Sequence, residues 1–185
     1  MQIIAGKFRG KKLVEYYNSG TRPTASRTKE GIFNVLASAG FFDPDNLPVT
    51  LDLFAGTGQY GIEALSRGIS EVVFNDFDPA AVAVIKKNLA NLALHNSTPS
   101  IVFNLPFMTC LEKLRCKKFD LVFLDPPYDS TNLAREATDF LTANKMLTTS
   151  AVIVFETEYT DLEFPGFDIK IKTYGRAVVY FLSKQ

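Results

Sequence analysis

A chain of 185 residues, 46% hydrophobic and 22% charged with no net charge, has the composition of a soluble globular domain with one sizeable core. No apolar run approaches the ~18 residues of a membrane span, and the opening MQIIAGKFRG lacks the apolar stretch of a secretory signal, so a cytoplasmic protein is expected. Cys110 and Cys116 have no histidine or further cysteine near them, which excludes a zinc site or disulfide framework and makes packing their expected role.

The zero charge conceals an asymmetry at the start of the chain. Residues 1–30 carry Lys7, Arg9, Lys11, Lys12, Arg22, Arg27 and Lys29 against Glu15 and Glu30, and the rest of the chain is correspondingly acidic. A basic arm on an acidic body fits a phosphate-bearing partner, although a solvated hairpin has the same charge signature. QIIAGKF and KKLVEYY, split by Gly6 and Gly10, predict a small hairpin or two irregular strands. Residues 1–24 are therefore expected to form a basic extension and residues 25–185 the main domain.

Beyond the turn-like NSGTRPT the pattern becomes helical: Ile32, Phe33 and Leu36 share one face of a helix expected over about 26–39. From Val49 onward short apolar runs alternate with helical patterns. Five strands (VTLDLF, EVVFND, SIVFN, FDLVFLD, AVIVFETE) with four helices between them predict a parallel sheet covered on both faces. FDIKIKTYGRAVVYFLSK reads instead as two strands joined at Tyr174-Gly175, an antiparallel hairpin at or near the sheet edge.

Two stretches carry chemistry. LDLFAGTGQYG sets Gly56, Gly58 and Gly61 as G-x-G-x-x-G between the first core strand and its helix, where backbone N–H groups can face a ligand. EVVFND ends in Asp76, twenty residues after Gly56, where a carboxylate can accept both ribose hydroxyls, so an adenosine-containing ligand is favoured. Asp52, inside the first strand, can brace the loop by accepting its N–H groups. LDLFAGTG with VFNDFD resembles the cofactor motifs of Rossmann-like S-adenosylmethionine-dependent methyltransferases.

The second stretch is DPPY, residues 125–128, which ends a buried strand with two prolines. In a doubly wound sheet this strand lies beside the first, so Asp125 leaves at the carboxyl edge next to the glycine loop. DPPY resembles the [N/D/S]-P-P-[Y/F/W] motif of methyltransferases that modify exocyclic amino groups. The Asp125 carboxylate and the Pro126 carbonyl are suited to accept the two N–H groups of such an amine, the prolines hold the acceptors still, and Tyr128 is suited to stack on the base.

IIAGKFRGKKL, TRPTASRTKEGIFNVL, LDLFAGTGQYGIEALSRG, DPPY and VFETE together resemble the bacterial small-subunit ribosomal RNA guanine-N2 methyltransferase family over nearly the whole chain. The resemblance implies a seven-stranded Rossmann-like fold, S-adenosylmethionine as methyl donor, and a guanine amino group of 16S rRNA, free or in an assembling small subunit, as acceptor. By matching motif positions it implies Asp52, Phe54, Ala55, Gly56, Thr57 and Gly58 on the loop side of the cofactor, Asp76 at the ribose and Phe77 at the adenine face. Lys7, Arg9, Lys11, Lys12, Arg22 and Arg27 are the expected RNA contacts; no metal is implied, and a monomer is expected. NLPFM departs from the family pattern, because Pro106 offers no side-chain acceptor for the adenine amino group and leaves the Phe107 N–H to reach the ring. Three other readings stay open: an adenine-N6 methyltransferase, which shares DPPY, a non-catalytic RNA-binding or assembly protein with a retained cofactor pocket, and, least supported, a nicotinamide dehydrogenase.

Overall fold

The computed structural model describes residues 1–16, 26–43, 45–93, 100–127 and 131–185. Tyr128 and Arg22, the expected base-stacking residue and one of the expected RNA contacts, lie outside the described residues. No helix among the described residues is long and apolar enough to cross a membrane.

Helix α1 (Ser26–Ser38) precedes the alternating units β1 (Val49–Asp52), α2 (Gln59–Ser66), β2 (Glu71–Asn75), α3 (Pro79–Asn91), β3 (Ser100–Phe103), α4 (Phe107–Lys113), β4 (Phe119–Leu124), α5 (Thr131–Ala143) and β5 (Leu147–Thr157). Strands β6 (Phe167–Tyr174) and β7 (Ala177–Lys184) follow without an intervening helix. One seven-stranded sheet results, in the order β3-β2-β1-β4-β5-β7-β6. The first five strands pair in parallel, and β7 runs antiparallel to both of its neighbours. The expected antiparallel hairpin forms at the sheet edge: β7 lies between β5 and β6, leaving β6 outermost with most of its side chains exposed.

Period-two alternation sorts the strand residues onto two cores. Leu121 and Phe123 join α1, α2 and α3 through Ile32, Phe33, Ile62 and Ile85 on one face. Val122 and Leu124 join α4 and α5 through Cys110, Leu111, Ala137 and Leu141 on the other. Cys110 is a packing residue, its thiol pushed up to about 12 by burial, whereas Cys116 is exposed because it falls in the turn past the end of α4.

The arm is an irregular hairpin, with one bridge between Gln2 and Lys12 and cross-hairpin bonds such as Ile3 N–H to the Lys11 carbonyl at 3.0 Å. It docks on α2. Both oxygens of the Glu63 carboxylate, 0% exposed, accept arm amides, from Ile4 at 2.8 Å and Ala5 at 3.0 Å. The same carboxylate pairs with Lys29 at 3.3 Å and Arg67 at 3.0 Å, and Lys29 also donates to the Gln2 carbonyl at 2.8 Å. Burial lowers the Lys29 pKa, with Glu63 acting against that shift. A Cβ at Gly6 would lie 1.8 Å from the Ser66 carbonyl oxygen, so only glycine, here at φ +82°, lets the arm pass so close to the end of α2. Lys29 is therefore committed to the interior, whereas Lys7, Arg9, Lys11, Lys12 and Arg27 stay exposed.

Candidate functional site

Strands β1, β2 and β4 deliver the predicted residues to one edge of the sheet. Register alone requires this: Asp52 pairs with Phe74 of β2 and with Phe123 of β4, so the chain segments after β1, β2 and β4 leave side by side. Those segments carry Gly56, Asp76 and Asp125.

The glycine loop reverses between β1 and α2 with Gly56 at φ +54° and Gly58 at φ +78°, and Gly58 caps the helix. The three glycines do different work. Nothing lies within 4 Å of the space a Gly56 Cβ would occupy, which leaves the loop backbone open to a ligand. At Gly61 the same atom would lie 2.2 Å from the Phe74 ring, so that glycine permits close helix-to-strand packing. Gly58 is intermediate, with Ile62 at 3.2 Å and Ile85 at 3.3 Å.

Two carboxylates brace the loop. Asp76 accepts the Gly56 N–H at 2.7 Å through Oδ2 and the Asp78 N–H at 2.9 Å through Oδ1. A carboxylate has about four lone-pair positions, so acceptor capacity remains for a ribose hydroxyl. Burial raises the Asp76 pKa, and the amides of Asp78 and Gly56 act in the opposite direction. Asp52, 1% exposed, accepts the Gly61 N–H at 2.9 Å. Burial pushes its carboxyl up to about 7, with Gly61 opposing and Asp76 reinforcing the shift.

A pH effect on stability follows for Asp52. A carboxyl whose folded pKa exceeds its unfolded one binds more protons when folded, so its contribution to stability is fully present below about pH 4 and is lost as pH rises through about 7. Asp52→Asn keeps an acceptor for Gly61 and removes the titration. Between pH 5 and pH 7.5, wild type is expected to lose roughly 2–3 kcal/mol relative to the variant. Urea melts at the two pH values check this; a constant difference would show that Asp52 titrates as an ordinary carboxylate.

Other polar residues, of which Asn104 and Asn75 are not recognised from sequence, brace this edge of the sheet. Asn104 donates to the carbonyls of Asp76 at 3.0 Å and Phe77 at 2.9 Å, which holds the Phe77 ring outward at 75% exposure. Asn75 donates to the Leu53 and Leu105 carbonyls and ties β1 to the segment ahead of α4. Asp78 caps α3 by accepting the Ala80 N–H at 2.9 Å and also accepts the Tyr16 hydroxyl at 3.0 Å. Ala55 and Thr57 face inward by their backbones, the Ala55 N–H on the Asn75 carbonyl and the Thr57 carbonyl on Asn88. Phe54 and Phe107 meet with ring centroids 5.5 Å apart, a partly buried apolar wall beside the loop.

Asp125 lies past the end of β4, partly buried, with Pro126 and Pro127 following. Burial holds its carboxyl well above the ordinary range, and the negative charges of Glu156 and Asp52 push the same way. Register brings Glu156 in: Leu124 pairs with Phe155, so Glu156 stands level with Asp125. Tyr60, stacked on Phe123 at 5.0 Å, hydrogen-bonds to Glu156. VFETE held the sequence signal for Glu156, but only the pairing of β4 with β5 gives it a neighbour. Among the described residues no group of three or more His, Cys, Asp or Glu could hold a metal ion.

This arrangement can grip a ribose hydroxyl at Asp76, admit a ligand over Gly56, and present a carboxylate and the Pro126 carbonyl to a second molecule entering at β4. It fits an adenosine-bearing cofactor beside an amine acceptor. A family model described as conserved hypothetical protein 95 matches residues 1–183. The chain is 37% identical over 158 residues to ribosomal RNA small subunit methyltransferase D of Haemophilus influenzae, spanning 85% of this chain and 79% of that protein. The protein of the same name from Escherichia coli K12 is 35% identical over 158 residues, spanning 85% and 75%. Among solved structures, a hypothetical protein of Thermus thermophilus superposes over 99% of each chain with a TM-score of 0.81 at 26% identity.

Proposed function

From the premise that this chain belongs to the conserved hypothetical protein 95 family, we propose that it transfers a methyl group from S-adenosylmethionine to the exocyclic N2 amino group of a guanine in small-subunit ribosomal RNA. We place it in the cytoplasm as a monomer acting on 16S rRNA, free or in an assembling particle. The observation that carries this reading is the meeting of Asp76, the open Gly56 loop and Asp125 at one sheet edge. The relatives named as ribosomal RNA methyltransferases support it.

When bound, the cofactor supplies an electrophilic methyl on a sulfonium. Asp76 would hold its ribose, the backbone of residues 54–58 its methionine portion, and Phe77 its adenine. The amine is a weak nucleophile because its lone pair is delocalised into the base. Asp125 and the Pro126 carbonyl, fixed by two prolines, accept its N–H groups and turn the lone pair out of the ring. Once methylated the nitrogen is acidic, and the raised proton affinity of Asp125 suits it to take the proton.

Single-turnover transfer of labelled methyl to 16S rRNA, both deproteinised and within small-subunit particles, with the product nucleoside identified by mass, tests the reading. N2-methylguanosine is expected. N6-methyladenosine would replace guanine by adenine as the target, and no transfer would leave an RNA-binding protein.

Exposed Lys7, Arg9, Lys11 and Lys12 would bind phosphates without entering the chemistry. Neutralising all four is expected to weaken RNA binding and flatten its salt dependence by about 0.7 log units for each single-strand phosphate that no longer has a cationic partner. Binding titrations across a salt series read this directly, and an unchanged slope would place the RNA elsewhere on the surface.

A further inference from the structure

Helix α3 buries Ala81, Val82, Ile85 and Leu89 on one stripe, and the fifth member of that stripe is Asn88, 1% exposed. A buried amide on an apolar helix face is costly unless its hydrogen bonds are made. Asn88 makes three. Its Oδ1 accepts the Val14 N–H at 2.7 Å, and its Nδ2 donates to the Val14 carbonyl at 3.1 Å and to the Thr57 carbonyl at 3.1 Å. One side chain thus clasps the basic arm by both backbone groups of Val14 and the glycine loop by Thr57.

A second path leaves the same stretch of arm. The Tyr16 hydroxyl donates to Asp78 at 3.0 Å, and the Asp78 N–H in turn donates to Asp76 at 2.9 Å, the carboxylate that also holds Gly56. Two residues of the arm, two apart, are therefore wired to two points on the loop that flank the open space over Gly56.

We propose that Asn88 and Tyr16 are positioning residues that couple engagement of RNA by the arm to binding of the cofactor by the glycine loop. The inference rests on the functional reading above, with RNA on the arm and an adenosine cofactor on the loop. RNA that fixes the arm in this docked register fixes Val14 and Tyr16, and with them the Thr57 carbonyl and the Asp78–Asp76 pair in the shape that receives the cofactor. Cofactor in the loop holds the arm by the same bonds. The coupling must be reciprocal: whatever factor RNA gives to cofactor affinity, cofactor gives to RNA affinity.

The test is equilibrium dialysis of labelled S-adenosylhomocysteine with and without saturating deproteinised 16S rRNA, paired with RNA titrations with and without saturating S-adenosylhomocysteine. Wild type is expected to show a factor of about tenfold in both directions. Asn88→Ser is expected to reduce it below about threefold, and Tyr16→Phe to about threefold, both measured on protein whose thermal midpoint confirms folding. A merely structural role would lower stability or both affinities and leave the factor unchanged. Tyr16→Phe removes one hydroxyl from a partly exposed ring, so it carries the test if Asn88→Ser fails to fold. Wild type that binds both ligands with a factor of one overturns the coupling and spares the function, as does a full tenfold factor in folded variants. Wild type that binds neither ligand overturns both.

Discussion

Asp125→Ala is expected to bind the cofactor nearly as wild type does and to slow methyl transfer about a hundred- to a thousandfold in single turnover. The reason lies in where Asp125 stands: past the end of β4, beside the loop rather than within it, with none of the loop-bracing bonds that Asp52 and Asp76 make. A charge-assisted bond that strengthens as the amine becomes tetrahedral is felt in the rate and hardly in the ground state. Such a bond is worth about 1.5–3 kcal/mol, and loss of preorganised positioning adds to it. Asp125→Asn separates geometry from charge, since it keeps an acceptor oxygen and loses the proton-accepting group. If geometry dominates, about a tenth of the activity should survive; if charge dominates, asparagine should match alanine. Wild type should also show a rising pH limb displaced above the ordinary carboxylate range, because burial, Glu156 and Asp52 hold Asp125 protonated until higher pH and only the ionised form offers a charged acceptor and can take the proton released after transfer. That limb should vanish in Asp125→Asn. Full activity in Asp125→Ala would return DPPY to the role of a stiff strand terminator.

Asp76→Ala should raise the cofactor dissociation constant on the order of a thousandfold. A charge-assisted ribose bond worth about 1.5–3 kcal/mol is lost, and the empty loop also loses the anchors of Gly56 and Asp78. Calorimetry with S-adenosylhomocysteine gives the number. Asp76→Asn should fall between, since its one oxygen can hold either the loop amide or a ribose hydroxyl but offers the other no charge. Unchanged affinity in folded Asp76→Ala would remove the cofactor assignment.

Much of this arrangement is legible in the chain itself. Apolar runs of four to six residues separated by amphipathic helices force a parallel sheet, and a parallel sheet puts Asp52, Asp76 and Asp125 on its carboxyl edge whatever the details. The glycines declare a turn, but only the packed structure divides them between ligand access at Gly56 and strand contact at Gly61. Illegible are the bonds that join distant segments. Val14 and Asn88 lie 74 positions apart and Tyr16 and Asp78 lie 62 apart, and neither asparagine nor tyrosine advertises a partner at such range. Charge counting also has a limit, because Lys29 adds to the basic total of residues 1–30 yet is only 2% exposed, paired with Glu63. Insertion of β7 between β5 and β6 is equally hidden, since a hairpin signal says which strands are joined and not which of them meets the sheet.

That insertion has a consequence for biogenesis. Strand β5 must wait for Ala177–Lys184 before its second edge is covered, although residues 49–157 already contain the five parallel strands and both Asp52 and Asp76. Any chain whose first five strands have formed before Ala177–Lys184 docks presents the edge of β5 bare, with Ile153, Val154 and Phe155 behind it. An uncovered strand of that kind recruits any extended segment nearby. Chaperone capture should therefore concentrate on chains in which the five parallel strands have formed and β7 has yet to dock.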